Sequence, residues 1–388
     1  MDKKITIGFD AKRIVRNRTG LGAYGRTLVN DLADRNQGQW DLRLYAPDQG
    51  ADDLRQQIRL TEDTRFVYPE GTPNRLRRDF WRMKGIVGQL KKDGVDLYHG
   101  LTGELPCGLS KAGIKGVVTI HDLIFMRHPE YYHWIDTQIY QWKFRVACKE
   151  AQRIIAISEC TKRDIMELGG VDEDRIDVVY QSCNPRYSQP LSHDRLQATA
   201  DAYRLPKRFM LSVGTIEQRK NLMLAMNALA LLPEDIHLVA VGRQTAYAGQ
   251  VAREARKKGL SGRLHLLSGI SDTHLQAIYQ MAEVFVYPSR YEGFGIPVIE
   301  AIFSGLPVVA CSGSCLEEAG GPHNLYVAPD DTEGMAQAVR LMMKGAPGRE
   351  QRIAGSLEYV QRFRGTDTAA EVAGIYEKTL RNDPKKRQ

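Results

Sequence analysis

Apolar residues recur along the chain in two series of short runs, each run closed by turn residues and followed by a stretch of helical period. In the first series the runs fall at 5–10, 42–46, 65–68, 96–99, 116–120, 153–157 and 176–180. Helical stretches begin near Leu21, extend over 129–150 and start again at Ser158, a residue type that caps helix N-termini. Runs that are apolar almost throughout predict strands covered on both faces, and strands alternating with helices predict a parallel sheet. Between 184 and 207 the periodicity weakens and Pro185, Pro190 and Pro206 appear, which predicts a linker over 187–206. A second series follows at 209–213, 236–241, 264–267, 284–287 and 307–310. After Thr366 an amphipathic helix carries Val372, Ile375, Tyr376 and Leu380, and the basic residues Lys385, Lys386 and Arg387 come after it. The pattern predicts an α/β chain of two Rossmann-like domains, 1–186 and 207–365, with a separate helix and tail over 366–388.

At 388 residues the chain is longer than one core usually serves, which agrees with two domains. With 43% apolar and 26% charged residues it has the balance of a folded globular protein. The start of the chain lacks the apolar core of a signal peptide, and no run of eighteen apolar residues follows, so a cytoplasmic protein is expected. Six scattered cysteines suit reduced thiols; Cys311 and Cys315 alone approach a metal-ligand spacing, without a second pair or a histidine partner. A net charge of +7 favours acidic partners without choosing among phosphorylated donors, anionic lipid and nucleic acid.

Three strings sit where open parallel sheets bind ligands, past the carboxyl ends of strands. In Tyr291-Glu292-Gly293-Phe294-Gly295-Ile296-Pro297-Val298-Ile299-Glu300 a glycine loop leads from a strand into a helix that Pro297 is placed to open. Backbone N–H groups at such a start suit diphosphate or sugar oxygens, and the two glycines admit a ligand close to the chain. Glu300 falls one turn into that helix, where a carboxylate can accept both hydroxyls of a ribose, while Glu292 lies in the loop, in reach of a sugar. In Gly214-Thr215-Ile216-Glu217-Gln218-Arg219-Lys220-Asn221 two cations are expected to open the following helix and meet one anion. Thr119-Ile120-His121-Asp122-Leu123 ends a strand of the first series. Taken alone, its His-Asp pair reads as structural.

Together these strings resemble family 4 of the retaining glycosyltransferases, which have the GT-B fold, and nearly the whole chain fits the resemblance. It implies two Rossmann-like domains facing a cleft, with the last helix crossing back to the first. It implies that Arg219 and Lys220 grip the donor diphosphate, that Glu300 holds the ribose, and that Glu292, with Phe294, Gly295 and Ile296, orients the sugar. It also implies that His121 touches the transferred sugar and that Asp122 is a further sugar-binding residue, and His121 and Glu292 are the catalytic candidates. Gln218 stands where the family commonly has proline, a change that removes no charge. The resemblance further implies a nucleotide-sugar donor, with GDP-mannose the first choice and a UDP-sugar the alternative. The acceptor would be a glycan or lipid-linked hydroxyl. No metal and no separate cofactor are expected, the two cations taking the metal's place.

Other strings compete for meaning. Gly20-Leu21-Gly22-Ala23-Tyr24-Gly25 spells a dinucleotide fingerprint, yet nine residues separate Asp10 from Gly20, whereas a true fingerprint follows its strand at once. The family reading makes it a cleft loop, with Gly22 near the donor phosphate. Asp172-Glu173-Asp174 spells a manganese motif of another fold but lies in a polar turn. Residues 74–92 hold seven cations and one acid, interleaved with apolar positions. Such a basic amphipathic helix either packs its apolar face inward or meets an anionic membrane from the cytoplasmic side. No nucleic-acid module accompanies the charge, so no nucleic-acid partner is expected.

Overall fold

The computed structural model describes residues 4–70, 80–365 and 367–381. The chain divides into two compact units, 1–181 with 367–388, and 182–366.

The first unit is built on a seven-stranded sheet: β1 Ile5–Asp10, β2 Trp40–Tyr45, β3 Thr64–Val67, β4 Leu97–Gly100, β5 Lys115–Ile120, β6 Arg153–Ala156 and β7 Ile176–Val178. Every pairing is parallel, in the order β3-β2-β1-β4-β5-β6-β7, so the winding reverses between β1 and β4. Central strands are buried on both faces, as their near-continuous apolar runs require. The helix Thr368–Arg381 belongs to this unit, as expected: Ala369, Val372, Ile375 and Tyr376 complete a core with Phe9, Leu28, Leu32 and Trp40.

The second unit holds β8 Phe209–Val213, β9 His237–Val241, β10 Leu264–Leu267, β11 Val284–Tyr287, β12 Val308–Cys311 and β13 Leu325–Val327. They form a parallel sheet in the order β10-β9-β8-β11-β12-β13, which reverses between β8 and β11. The strand β13 has no counterpart in the apolar pattern, because it is three residues long and only half-buried.

Residues 187–206 differ from the expected linker. They belong to the second unit with everything from 182 onward, and His193–Tyr203 is a helix packed along Asp272–Met281. Its capping explains the misreading. Pro190 precedes the helix, Pro206 follows it, and Arg204 closes it in a left-handed turn at φ 49°, so the prolines punctuate an element instead of dissolving one.

Of the basic stretch 74–92, residues 74–79 lie outside the described residues. In the remainder Ile86 and Leu90 are core, and Arg82 is buried between Asp10, at 2.5 Å, and Glu104, at 3.0 Å. Phe80, Lys84, Lys91 and Lys92 stay exposed. The Asp172–Asp174 turn is also exposed, where Glu173 pairs with Lys162 at 2.7 Å. Among the described residues no group of three or more His, Cys, Asp or Glu side chains is arranged to hold a metal ion.

Candidate active site

In the second unit the polar groups gather where the winding reverses, the position at which open α/β sheets bind ligands. Gly214 leaves β8 at φ 144°, a conformation that side chains disfavour. Gly242 packs so tightly there that a Cβ would lie 1.9 Å from the Gly214 carbonyl. Residues Gln218–Lys220 then form a single 3-10 turn. This corrects the expectation that Arg219 and Lys220 open a helix: Asn221, left-handed at φ 54°, separates them from the helix Leu222–Leu229. Asn221 is held there by its side-chain N–H donating to the Pro329 carbonyl at 2.8 Å. The two cations therefore meet their partners as side chains and not through that helix's dipole.

Lys220 Nζ donates to Tyr287 Oη at 2.7 Å, at the end of β11, and lies 2.5 Å from Glu292 Oε1. Arg219 donates to the Tyr291 carbonyl at 2.7 Å and to Glu217 at 2.9 Å, and lies 3.0 Å from Glu292 Oε2. Each carboxylate oxygen of Glu292 thus faces one cation. Burial pushes the Glu292 carboxyl up in pKa, but Lys220 and then Arg219 overcome this and hold it at about 2. Burial is the largest influence on Lys220 and Arg219 and disfavours their charged forms, but Glu292 together with smaller contributions, Glu217 among them at Arg219, leaves both raised. The three side chains form one unit, where the sequence suggested separate diphosphate and sugar contacts. Ser212, Gly214, Thr215 and Ser289 line a small pocket beside Lys220 and Tyr287.

The loop after Glu292 turns at Gly295, whose φ of 115° caps the helix Ile296–Phe303, with Pro297 in its first turn. A Cβ on Gly295 would meet Leu316 Cδ2 at 2.9 Å, so conformation and space both require glycine. The Phe294 side chain is core, edge-on to Phe363 at 5.3 Å, which leaves only its backbone for a ligand. Ile296 is half-buried at the helix start. Beneath the loop the buried Cys315 thiol lies 2.7 Å from the Phe294 carbonyl and 3.2 Å from that of Glu292. Cys311 and Cys315 are both free and buried.

Glu300 lies one turn into the helix, as the string suggests. Its Oε2 accepts from the buried Tyr279 hydroxyl at 3.0 Å, and Tyr187, edge-on to Tyr279 at 5.4 Å, closes the same corner. Burial pushes the Glu300 carboxyl up to about 7, opposed by the Tyr279 hydrogen bond and reinforced by Asp272. Nothing in the sequence pointed to Tyr187, Tyr279 or Tyr287 as neighbours of the two glutamates. Tyr187 lies in the stretch read as a linker, and Tyr279 and Tyr287 lie in stretches whose apolar pattern reads simply as fold.

In the first unit His121 follows β5. Its Nε2 lies 2.9 Å from the Leu101 carbonyl, which can only accept, so Nε2 carries the proton and Nδ1 receives the Gln181 amide at 3.3 Å. Burial lowers the ring to about 4 despite the Leu101 bond, so it is neutral at physiological pH. Asp122 Oδ1 accepts the Ile124 N–H at 3.1 Å and so starts the short helix Ile124–Arg127. Gly22 lies inside the helix Gly20–Arg35 and not in a loop. A Cβ there would strike the Asn17 carbonyl at 2.0 Å, which explains the glycine by packing. All three glycines of the apparent dinucleotide fingerprint are helical, and the helix Lys12–Arg16 intervenes after β1, so the strand–turn–helix that a dinucleotide needs is absent from this string.

Two family models match the chain, Glycosyltransferase Family 4 over residues 18–186 and Glycosyl transferases group 1 over 200–356. The chain belongs to glycosyltransferase family 4. This family 4 chain is 27% identical to the O-antigen chain mannosyltransferase B of Escherichia coli, over 92% of this chain and 96% of that one. It is also 27% identical, over 93% of its length, to the longer serotype-specific mannosyltransferase WbdA of the same organism, of which it spans 46%. A crystal structure of Anabaena HepE with UDP and glucose superposes with a TM-score of 0.74 at 15% identity, covering 96% of this chain and 100% of that one. The two parallel-sheet units are thus those of a GT-B glycosyltransferase.

Proposed function

We propose that this glycosyltransferase moves mannose from GDP-mannose to a hydroxyl of a glycan or lipid-linked acceptor, with retention of anomeric configuration. The observation that carries the donor side is the pairing of Arg219 and Lys220 with Glu292 at the reversal point between β8 and β11. The choice of mannose rests on the relative named a mannosyltransferase along 96% of its length.

In this reading Arg219 and Lys220 bind the diphosphate and neutralise the charge that grows as it leaves, with no metal ion or other cofactor. Glu300 accepts the ribose hydroxyls. Glu292 and the backbone of Phe294, Gly295 and Ile296 orient the sugar. His121 is neutral and both its ring nitrogens are bonded to Leu101 and Gln181, so in this reading it meets the transferred sugar through its ring carbons and supplies no positive charge, with Asp122 shaping the turn after it. The bond from C1 of the sugar to the leaving phosphate oxygen breaks as the bond from the acceptor oxygen to C1 forms on the same face. The acceptor's proton passes to the departing phosphate. Gly22 is kept small by its packing against the Asn17 carbonyl and is given no phosphate contact in this reading.

The deciding assay incubates the protein with GDP-mannose, UDP-glucose or other nucleotide sugars and an acceptor glycan, and reads product and anomeric configuration by NMR. An α-linked mannoside formed only from GDP-mannose is the expected result. Turnover of a UDP-sugar in its place, the reading favoured by the bound UDP and glucose of HepE, would replace the donor assignment.

No helix among the described residues is long and apolar enough to cross a membrane. Peripheral contact with an anionic membrane, from the cytoplasmic side, completes the proposal. It rests on exposed Phe80 with Lys84, Lys91 and Lys92, since Ile86 and Leu90 are used inside the fold. Sedimentation with phosphatidylglycerol vesicles is expected to carry the protein down at low salt. A triple Lys84→Glu, Lys91→Glu, Lys92→Glu variant that sediments equally well removes this surface from the reading.

A further inference from the structure

The first unit contains a line of polar groups that begins on the helix Thr368–Arg381 and ends on His121. Tyr376 Oη lies 2.6 Å from His99 Nδ1, His99 Nε2 lies 2.9 Å from Thr119 Oγ1, and Thr119 Oγ1 lies 3.2 Å from Tyr24 Oη. The Tyr24 ring then stands edge-on to the His121 ring, 4.8 Å between centroids and 85° between planes. Tyr376, His99 and Thr119 are fully or almost fully buried. Burial lowers His99 to about 3, so it is a neutral link with one proton and one lone pair. Either tautomer satisfies both ring nitrogens, because each partner is a hydroxyl: Tyr376 donates to Nδ1 while Nε2–H donates to Thr119, or Nδ1–H donates to Tyr376 while Thr119 donates to Nε2. The bond between Thr119 and Tyr24 runs from Thr119 in the first and from Tyr24 in the second.

The same helix reaches His121 by a second path. The Thr368 hydroxyl donates to the Tyr180 carbonyl at 3.1 Å, and the next residue, Gln181, donates its side-chain amide to His121 Nδ1. One helix therefore bears on a single imidazole at two places, on the ring through Tyr24 and on Nδ1 through Gln181. A core that only needed its polar atoms satisfied would not require both paths to converge on the residue after β5. In a buried network each bond fixes the orientation of the next group, so loss of one hydroxyl is felt along the line.

We propose that Tyr376, His99, Thr119 and Tyr24 are positioning residues for His121, and that the helix Thr368–Arg381 sets the angle of its ring. The proposal rests on His121 facing the transferred sugar, as in the functional reading above.

The test uses the full chain with Tyr376→Phe and Thr119→Val, each of which removes one hydroxyl and keeps the volume, and Thr119→Ser, which keeps the hydroxyl. Steady-state transfer is measured with nitrogen-15 spectra of the imidazoles, His121 being assigned by comparison with His121→Asn. Tyr376→Phe and Thr119→Val are expected to lower kcat about tenfold, with the donor KM unchanged, because misplacement is felt in the transition state. Both should move the His121 resonances, and Thr119→Ser should stay close to the parent on both readouts. Unmoved His121 resonances overturn the proposal, whether activity is kept or falls together with Tm, because the groups then serve the core alone. If the unmodified protein transfers no sugar from any nucleotide donor, the functional reading fails, and the resonances still decide whether the helix orients His121.

Discussion

Lys220→Ala is expected to lower kcat/KM for the nucleotide sugar by about a thousandfold, the scale seen when a group that stabilises transition-state charge is removed. The effect has two sources. The variant loses one of the two cations that meet the diphosphate, and it leaves Glu292, only 9% exposed, with Arg219 as its remaining charged partner. The second source also appears in stability. Because the Glu292 carboxyl is depressed to about 2 from its ordinary 4.5, it contributes stability that is present above pH 4.5 and lost as pH falls through 2. Without Lys220 the depression shrinks, so the variant should have less of this stability to lose, while being less stable than the parent near neutrality. Urea titrations at pH 7 and pH 3 show the narrowing gap, and steady-state kinetics show the loss of transfer. A variant within about threefold of the parent in kcat/KM would remove Lys220 from the donor site, since even one uniform hydrogen bond to a charged group is worth more than that.

Donor affinity should rise about tenfold between pH 6 and pH 8, because a carboxyl titrating near 7 is mostly protonated at the first and mostly ionised at the second, and only the ionised form accepts both ribose hydroxyls. The group responsible is Glu300. Its raised pKa has the opposite consequence for the empty protein. The contribution to stability is fully present below 4.5 and is lost as pH rises through about 7, since the unfolded chain gives up the proton first. The thermal shift produced by donor should therefore grow across the interval in which the empty protein weakens. Glu300→Gln is expected to bind weakly with no pH dependence over that range, because the amide cannot ionise. Isothermal titration in two buffers of different ionisation enthalpy measures both affinity and the proton released. Affinity that is flat or falling with pH in the parent would move the ribose away from Glu300.

Most of the strands were legible because they are buried and so carry continuous apolar runs, as at 5–10, 209–213 and 284–287, whereas their order in each sheet was not. The strand Leu325–Val327 was not, since a short half-buried edge strand leaves no such run. Glu300 was placed one turn into its helix because Gly295 and Pro297 mark the helix start in the sequence as they do in the fold. Arg219 and Lys220 were found as residues but misassigned to a helix, since a left-handed asparagine looks in sequence like any other polar residue at a helix start. The tie between Glu292 and both cations was invisible because it spans seventy-two residues and depends on how β8 and β11 lie side by side. The false linker has a similar cause: prolines that bracket a helix and prolines that prevent one have the same composition. The helix start marked by Gly295 and Pro297 carried over, whereas the local readings at Asn221 and between Pro190 and Pro206 did not.

The helix Thr368–Arg381 also bears on the order in which the protein comes into being. Residues 182–366 are one continuous stretch and have all they need to close their own core once they have left the ribosome. The unit synthesised first must wait, because Phe9 and Trp40 are covered by Tyr376, which is translated after the whole of the second unit. Folding here should finish in the reverse of the usual order, in which the earlier domain folds first. During that wait an apolar seam on a seven-stranded sheet stays open to water, and a nascent chain stalled before residue 368 would keep it open as a site for chaperone capture or aggregation.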